Sequence, residues 1–345
     1  MTKKSTSILL IYTGGTIGMI NDLDSGSLRP FDFSDVEKKI PELKRFGFRI
    51  DTIQFESPLD SSDIHPGFWV KIAEIIERNY DQYDGFVVLH GTDTMAYSAS
   101  ALSFMLENLA KPVIFTGAQL PLGMLRTDGK ENLITSIEIA AAKENGKPVV
   151  PEVCIYFESK LSRGNRTTKV NAEQFNAFQS ANYPYLARAG VQLVFNKEYI
   201  RYPTRHEPLI LHKKFSDRIT IIKLFPGINR KYMDAVFEIN GLRAVILETY
   251  GSGNAPSDTW FTKRIRNAAS DGIIFLDVTQ CSRGSVELGR YETSRLLLEA
   301  GVISGYDITT EAATTKLMIL LAQSLSGDEI KMLLNKSLKG EISPH

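Results

Sequence analysis

Residues 7–18 read SILLIYTGGTIG, a short apolar run that leads directly into two adjacent glycines. An uninterrupted run of this kind is typical of a strand buried on both faces of a parallel sheet. Thr13 and Thr16 flank the glycines, which predicts a tight turn at the carboxyl end of the strand. Because open α/β sheets bind ligands beyond such strand ends, the turn is a candidate site.

The residues alone leave three interpretations of this turn. It can be a structural turn that uses glycine for its backbone conformation, a phosphate-binding loop, or a turn that presents a threonine as a nucleophile. The phosphate loop is disfavoured, because neither a Gly-Lys-Ser/Thr ending nor the third glycine of a dinucleotide-binding motif follows.

The rest of the chain alternates strand-like and helix-like segments. Short apolar runs predict strands at 7–12, 85–90, 111–117, 152–158, 219–225, 244–249 and 272–278. Helical periodicity predicts helices at 66–80, 97–110, 128–143 and 309–325, and Ser326-Gly327-Asp328 can begin a last one. This alternation predicts an α/β fold with mostly parallel sheets.

A change of pattern between residues 194 and 217 divides the chain. The stretch mixes charges with two prolines and two histidines, which is typical of a connection between domains. We therefore expect an N-terminal α/β domain over 1–193, a linker over 194–217 and a smaller C-terminal α/β domain over 218–345. A length of 345 residues agrees with two cores.

Composition narrows the class of protein. Lys plus Arg equals Asp plus Glu at 40 each, which argues against a nucleic-acid partner. Cys154 and Cys281 are the only cysteines, so we expect no disulfide framework and a reducing compartment. The apolar run at 8–11 is too short for a signal peptide, and no run approaches the length of a membrane span. We expect a cytoplasmic protein without a membrane partner.

Other predicted strand ends carry reactive side chains. HGTDTM (90–95) places Thr92 and Asp93 in a glycine-led turn, and RGNRTTK (163–169) supplies Lys169. Taken singly, Thr92 or Asp93 can cap a helix and a lone lysine is usually a surface charge. Taken together, they suit acyl transfer, because a threonine hydroxyl needs a base to become a nucleophile and burial lowers the pKa of a lysine towards that role. Backbone N–H groups of the glycine turns can face the developing oxyanion.

Five motifs, in order and spread over nearly the whole chain, carry a family resemblance. They are YTGGTIGM (12–19), HGTDTM (90–95), RGNRTTK (163–169), YGSGNAP (250–256) and TQCSRG (279–284). Together they resemble the bacterial L-asparaginases, specifically the cytoplasmic type I branch. The resemblance implies a threonine amidohydrolase that converts L-asparagine to L-aspartate and ammonia, and a homo-oligomer of dimers that pair into tetramers. The five histidines form no metal-binding motif, so we expect no metal and no cofactor.

The resemblance also implies catalytic roles for individual residues. Thr16 matches the family's nucleophile, which forms the acyl-enzyme. Thr92, Asp93 and Lys169 match a second catalytic set, in which Asp93 also binds the substrate's α-ammonium group.

Further positions match the family's substrate-binding residues. Asp60, Ser61 and Ser62 match the loop that holds the α-carboxylate, with a simple helix cap as the alternative. Ala118 matches the wall beside the scissile amide. Asn254 matches a C-terminal segment that approaches a neighbouring subunit's site.

The loop after the first strand departs from the family pattern. The family carries a tyrosine there that helps the threonine to lose its proton, whereas INDLDSGSLRPFDF (20–33) has none and Ser27 stands near its place. Thr16 is then activated through Tyr12, Lys169 or water, or by a tyrosine from elsewhere. The glycine and serines of the loop still suit a flexible lid.

A second departure concerns regulation. Some type I enzymes bind asparagine at an allosteric site, where a basic residue is expected just before the YGSGNAP segment. This chain has Glu248 there, and a carboxylate repels the effector's carboxylate. We expect allosteric activation to be weak or absent. Cys281, in the TQCSRG motif, is as well explained by packing as by regulation.

Two alternative functions and one further substrate share parts of this pattern. An amide-releasing subunit of a tRNA amidotransferase shares the signatures but has an extra N-terminal domain, which we do not expect here because the TGGT turn begins at residue 13. A non-catalytic amino-acid sensor should lack Thr16 or Lys169, and both are present. Glutamine is a possible second substrate, since one methylene changes discrimination by only ~1–3 kcal/mol.

Overall fold

The computed structural model describes residues 5–21, 28–30, 36, 40–205 and 207–343. The chain forms two compact units, one of Met1–Ser180 with Pro184–His212 and the other of Ala181–Tyr183 with Lys213–His345. Ser27 and most of the predicted lid loop lie outside the described residues.

The predicted linker is divided between the two units, with residues 194–212 in the first and residues 213–217 in the second. The domain boundaries at 193 and 218 remain a prediction, because contact-defined units need not coincide with units of folding.

The first unit is built on an eight-stranded mixed sheet. Its strands are β1 (Ser7–Gly14), β2 (Arg49–Leu59), β3 (Gly85–Leu89), β4 (Val113–Thr116), β5 (Val153–Phe157), β6 (Lys160–Arg163), β7 (Ala187–Ala189) and β8 (Leu193–Phe195). The spatial order is β8-β7-β6-β5-β4-β3-β1-β2. Strands β1 to β5 are parallel, and β6, β7 and β8 follow in antiparallel pairs.

Burial explains why the central strands form. Every residue of β1, β3, β4 and β5 is buried, as expected for parallel strands that are covered on both faces. The register aligns Tyr12 at the end of β1 with Leu89 at the end of β3. Strand order reverses around β1, because β2 lies on one side of it and β3 on the other. The turns after β1 and β3 therefore meet at the kind of reversal point where α/β sheets bind ligands.

Three α-helices of the described residues belong to this unit. They are α1 (Pro66–Asn79), α2 (Met95–Met105) and α3 (Gly129–Ala141). Helix α2 ends earlier than the periodicity of 97–110 predicts, because Leu106–Glu107 pairs with Ile210–Leu211 as two short antiparallel strands. A second short pair, Thr168–Lys169 with Phe178–Gln179, follows a 3₁₀ turn at Gly164–Arg166. Two further short pairs join Met19–Asn21 to Leu28–Pro30 and Lys143–Glu144 to Lys147–Pro148.

The second unit is a parallel sheet with helices. Its strands, in spatial and chain order, are β9 (Ile219–Lys223), β10 (Ala244–Thr249), β11 (Ile274–Thr279) and β12 (Ile303–Ser304). Its helices are α4 (Arg230–Phe237), α5 (Thr259–Ser270), α6 (Glu292–Glu299), α7 (Thr310–Leu321) and α8 (Gly327–Leu334). A helix does begin at the predicted Ser326-Gly327-Asp328, and the structure shows that Ser326 and Glu329 form a capping box at its start. A core that includes Phe261 and Phe275 fills one face of the sheet.

The predicted fold class, two α/β units with mostly parallel sheets, is confirmed. The three antiparallel strands β6 to β8 were not predicted. Strands β6 and β7 are four and three residues long and contain charged or small residues, and β8 is an apolar run of only three residues, too short to indicate a strand. None of the helices in the described ranges is long and apolar enough to cross a membrane.

Candidate active site

Two glycine turns meet at the carboxyl end of the first sheet. Gly15, between β1 and the 3₁₀ turn Thr16–Gly18, has φ of 85°. A Cβ built on Gly15 would lie only 2.4 Å from the Cα of Gly91, so the two backbones are in direct contact. Thr16 and Thr92, the residues that follow these glycines, are thus carried by neighbouring turns. Only glycine permits both the backbone conformation and the close approach.

Lys169 brings the second predicted group together. Its Nζ lies 2.8 Å from Thr92 Oγ1 and 2.7 Å from Asp93 Oδ1. The Lys169 side chain is 16% exposed and that of Asp93 is 63% exposed, so the ion pair is open to solvent on the aspartate side. A cation at this distance stabilises negative charge on the threonine oxygen, and the carboxylate keeps the cation in place.

The Asp60–Ser62 loop is tied to the same turn. Ser61 is buried, and its Oγ accepts a hydrogen bond of 3.2 Å from the Asp93 N–H. Its carbonyl oxygen accepts one of 2.6 Å from the Thr94 hydroxyl. Asp60 caps the 3₁₀ turn Ser61–Asp63, not the following helix. Its carboxylate accepts hydrogen bonds from the N–H and the hydroxyl of Ser62, and these bonds lower the pKa of Asp60. The loop therefore offers an exposed Ser62 and an anchored Ser61 beside Asp93.

Ala118 lies next to the turn that carries Thr16. It is buried, and a Cβ built on Gly129 would touch both Ala118 Cβ, at 3.0 Å, and Ile17 Cγ1, at 3.3 Å. Ala118 is therefore close to the residue after Thr16. The structure thus brings together the segments of all the predicted site residues of the first unit.

Gln119 also contacts this group, although it is not among the site residues predicted from the sequence. Its Oε1 lies 3.4 Å from Thr92 Oγ1, and its Nε2 donates to the carbonyl oxygens of Ala172 and Gln174, both at 3.1 Å. An open cleft of about 890 Å³ begins at Gln119 and runs between residues 119–126 and 172–175. The only sequence signal was its place in the TGAQ stretch next to Ala118.

Two other strand-end threonines have structural tasks. Thr13 Oγ1 donates to the Leu89 carbonyl at 2.9 Å, and Thr116 Oγ1 donates to the Tyr156 carbonyl at 2.9 Å. Both side chains are buried and tie adjacent strands together. Packing therefore accounts for these two threonines, whereas Thr92 contacts a charged lysine.

Tyr12 supports the turn that carries Thr16. Its Oη donates to the Gly18 carbonyl at 3.2 Å, and its ring lies so close to Gly18 that a Cβ there would come within 2.1 Å of it. Burial raises the pKa of Tyr12 to about 12. Tyr12 is therefore a protonated phenol that holds the turn through its bond to the Gly18 carbonyl.

Two family models match most of this chain. Residues 7–201 match the family model "Asparaginase, N-terminal", and residues 218–334 match "Glutaminase/Asparaginase C-terminal domain". The chain belongs to the asparaginase family. It is 43% identical over 352 residues to L-asparaginase 1 of Escherichia coli K12, which covers 100% of this chain and 99% of that protein.

Two further matches, one to a solved structure and one to a sequence, support membership of the same family. The crystal structure of L-asparaginase I from Vibrio cholerae superposes with a TM-score of 0.88 at 39% identity, covering 99% of this chain and 100% of that one. The 60 kDa lysophospholipase of Mus musculus is 41% identical over 360 residues, which cover 97% of this chain and 62% of that protein.

Two residues singled out in this asparaginase-family chain lie in its second unit. Asn254 belongs to a turn closed by a bridge to Tyr250, and its Oδ1 accepts a hydrogen bond of 2.9 Å from Thr293. Glu248 is at the end of β10, where the Thr310 hydroxyl donates to its Oε1 at 2.7 Å and Lys223 Nζ lies 3.7 Å from its Oε2. Neither is among the residues gathered in the first unit.

The site has no metal-binding set. Within the described ranges, no three His, Cys, Asp or Glu side chains converge as ligands for an ion. In the described part of the site, the groups available for chemistry are hydroxyls, the Gln119 amide, the Lys169 amine, the carboxylates of Asp60 and Asp93, and backbone N–H groups.

Proposed function

We propose that this protein hydrolyses L-asparagine to L-aspartate and ammonia, with Thr16 as the nucleophile of an acyl-enzyme intermediate. The observation that carries the proposal is the contact of Lys169 Nζ with both Thr92 Oγ1 and Asp93 Oδ1, at 2.8 and 2.7 Å. This contact lies beside the turn that carries Thr16. The proposal is also supported by the match of L-asparaginase 1 of Escherichia coli to the whole chain.

The chemistry runs in two balanced steps. The Thr16 oxygen adds to the side-chain carbonyl carbon of asparagine, the C–N bond breaks, and the threonine proton leaves with nitrogen as ammonia. Water then adds to the ester, which releases aspartate and returns the proton to Thr16. Because acylation and deacylation both pass through an oxyanion, N–H groups at the two glycine turns can stabilise both transition states.

The substrate orientation follows from the positions of the charged groups. In this proposal Ser62 and the anchored Ser61 hold the α-carboxylate, and Asp93, whose N–H donates to Ser61 Oγ, holds the α-ammonium. The amide end then points towards Thr92, Ala118 and Gln119. Asn254 of a second copy is the proposed partner contribution, in a homo-oligomer that we also propose to be cytoplasmic.

The test is an assay of ammonia release from L-asparagine and L-glutamine. We expect the protein to turn over asparagine, and Thr16→Ala to lower kcat/KM by about 10³-fold or more. Lys169→Ala should lower it strongly as well, since Thr92 then loses its cation. If the parent protein binds asparagine but releases no ammonia, the sensor alternative replaces the proposal.

Allosteric activation should be weak or absent. The Glu248 carboxylate already has Thr310 and Lys223 as neighbours and repels an effector carboxylate. The rate of asparagine hydrolysis should therefore rise hyperbolically with concentration, with a Hill coefficient near one. A clearly sigmoidal curve in steady-state assays would disprove this part of the proposal.

A further inference from the structure

His90 lies beneath the candidate site, at the centre of a buried hydrogen-bond chain. The indole N–H of Trp69 contacts Ser98 Oγ at 2.9 Å, and Ser98 Oγ contacts His90 Nε2 at 2.9 Å. His90 Nδ1 contacts the carbonyl oxygen of Gly91 at 2.6 Å. The His90 and Ser98 side chains are fully buried, and Trp69 is 5% exposed.

The direction of every bond in this chain is set by its two ends. The indole N–H can only donate and the Gly91 carbonyl can only accept. His90 therefore carries its proton on Nδ1, Nε2 accepts from the Ser98 hydroxyl, and Ser98 accepts from Trp69. Burial lowers the pKa of His90 to about 4, so the ring is neutral at pH 7 and keeps this single tautomer.

The last acceptor of the chain is part of the site. Gly91 contacts Gly15, and a Cβ built on Gly91 would come within 2.6 Å of Ser61 Oγ. Gly91 is therefore the point where three segments of the site meet. Its carbonyl shares a trans peptide plane with the Thr92 N–H, so the bond from His90 also sets the direction of that N–H and the position of the Thr92 side chain.

We propose that His90 is a positioning residue for the reaction, acting through Gly91 to hold Thr92 in register with Thr16 and Lys169. The ring of His90 packs edge-on to Phe115 with centroids 5.8 Å apart, and the backbone N–H of His90 donates to the Thr116 carbonyl at 2.9 Å, so both the ring and its backbone are held in place. This proposal rests on the proposed function, since it assigns His90 to the same reaction.

Two substitutions at His90 separate the two ring nitrogens. His90→Asn can keep a donor at the Nδ1 position for Gly91 and loses the contact with Ser98. His90→Gln can keep an acceptor at the Nε2 position for Ser98 and loses the contact with Gly91. We expect His90→Gln to lower kcat on L-asparagine about 10- to 100-fold with KM changed less than threefold, and His90→Asn to stay within about threefold of the parent kcat.

A matched pair of serines on α2 controls for lost stability. Ser98→Ala removes the partner of His90, whereas Ser103→Ala removes a buried hydroxyl that bonds only within the helix, to the Ala99 carbonyl. Because both variants keep the bond from His90 Nδ1 to Gly91, Ser98→Ala and Ser103→Ala should each stay within about threefold of the parent kcat, at comparable shifts in melting temperature.

The outcomes are distinguishable. If the parent protein hydrolyses asparagine and His90→Gln keeps its kcat, or if kcat falls in all four variants in proportion to melting temperature, the positioning role is overturned. If the parent protein releases no ammonia at all, the proposed function itself fails. A loss of kcat confined to His90→Gln supports the role.

Discussion

Thr92 differs from the other strand-end threonines in its partners, not in its chemistry. Thr13 and Thr116 use their hydroxyls to donate to carbonyl groups of neighbouring strands, and Thr92 accepts from Lys169. A sequence shows three similar Thr-Gly patterns and cannot tell these tasks apart. The packing of the strands decides which task each threonine has, because it brings the Leu89 carbonyl within 2.9 Å of the Thr13 hydroxyl and the Tyr156 carbonyl within 2.9 Å of the Thr116 hydroxyl.

A substitution series at Thr92 tests its role at this scale. Thr92→Val keeps the shape and removes the hydroxyl, so we expect kcat/KM for asparagine to fall about 10²- to 10³-fold. Thr92→Ser keeps the hydroxyl and should stay within about tenfold.

Thr116→Val is the control for this series. It removes a buried donor outside the reacting groups and should cost about 1 kcal/mol of stability with little change in kcat/KM. Equal losses of kcat/KM in Thr92→Val and Thr116→Val would show that Thr92, too, is only structural.

At the scale of elements, the contact of two turns organises the site. The apolar runs predicted the central parallel strands well, and the motifs at their ends identified both turns. The contact itself could not be predicted, because it depends on the reversal of strand order around β1. The sequence did not single out His90 for a similar reason, since Ser98, which bonds to its ring, and Trp69, which bonds to Ser98, come from two different helices.

Gly15→Ala tests the contact of the turns. The new Cβ would lie 2.4 Å from Gly91 Cα, so the turn that carries Thr92 must move. We expect kcat/KM for asparagine to fall about a hundredfold, with a clear loss of melting temperature.

Gly47→Ala is the matched control. Gly47 has a positive φ of 65°, and no atom lies within 4 Å of its built Cβ. It should therefore show only the backbone cost, about 1–2 kcal/mol, at unchanged activity. If Gly15→Ala behaves like Gly47→Ala, the contact between the turns does not organise the site.

At the scale of the whole molecule, stability should depend on a buried acid in the second unit. Asp277 on β11 is fully buried; its Oδ1 accepts a hydrogen bond of 2.7 Å from Thr249, and its Oδ2 has no partner within the described ranges. Burial raises the pKa of Asp277 from 3.8 to about 7. The folded state therefore holds a proton that the unfolded chain releases between about pH 4 and pH 7, and stability falls as the pH rises through this window.

Asp277→Asn should remove this pH dependence. The amide oxygen can still accept from Thr249 and carries no charge at any pH. The difference in free energy of unfolding between variant and parent should shift in favour of the variant by about 2–4 kcal/mol from pH 4 to pH 8. Urea unfolding at several pH values measures it, and a difference that is the same at every pH would refute the assignment.

The most direct test of the whole account is to locate the acyl group. The parent protein is mixed with L-asparagine, quenched in acid during turnover, digested and analysed by mass spectrometry. The account predicts an aspartyl ester on the peptide that contains Thr16, and none in the Thr16→Ala variant. An ester on Thr92, or turnover without any acyl-enzyme in rapid-quench experiments, would contradict it.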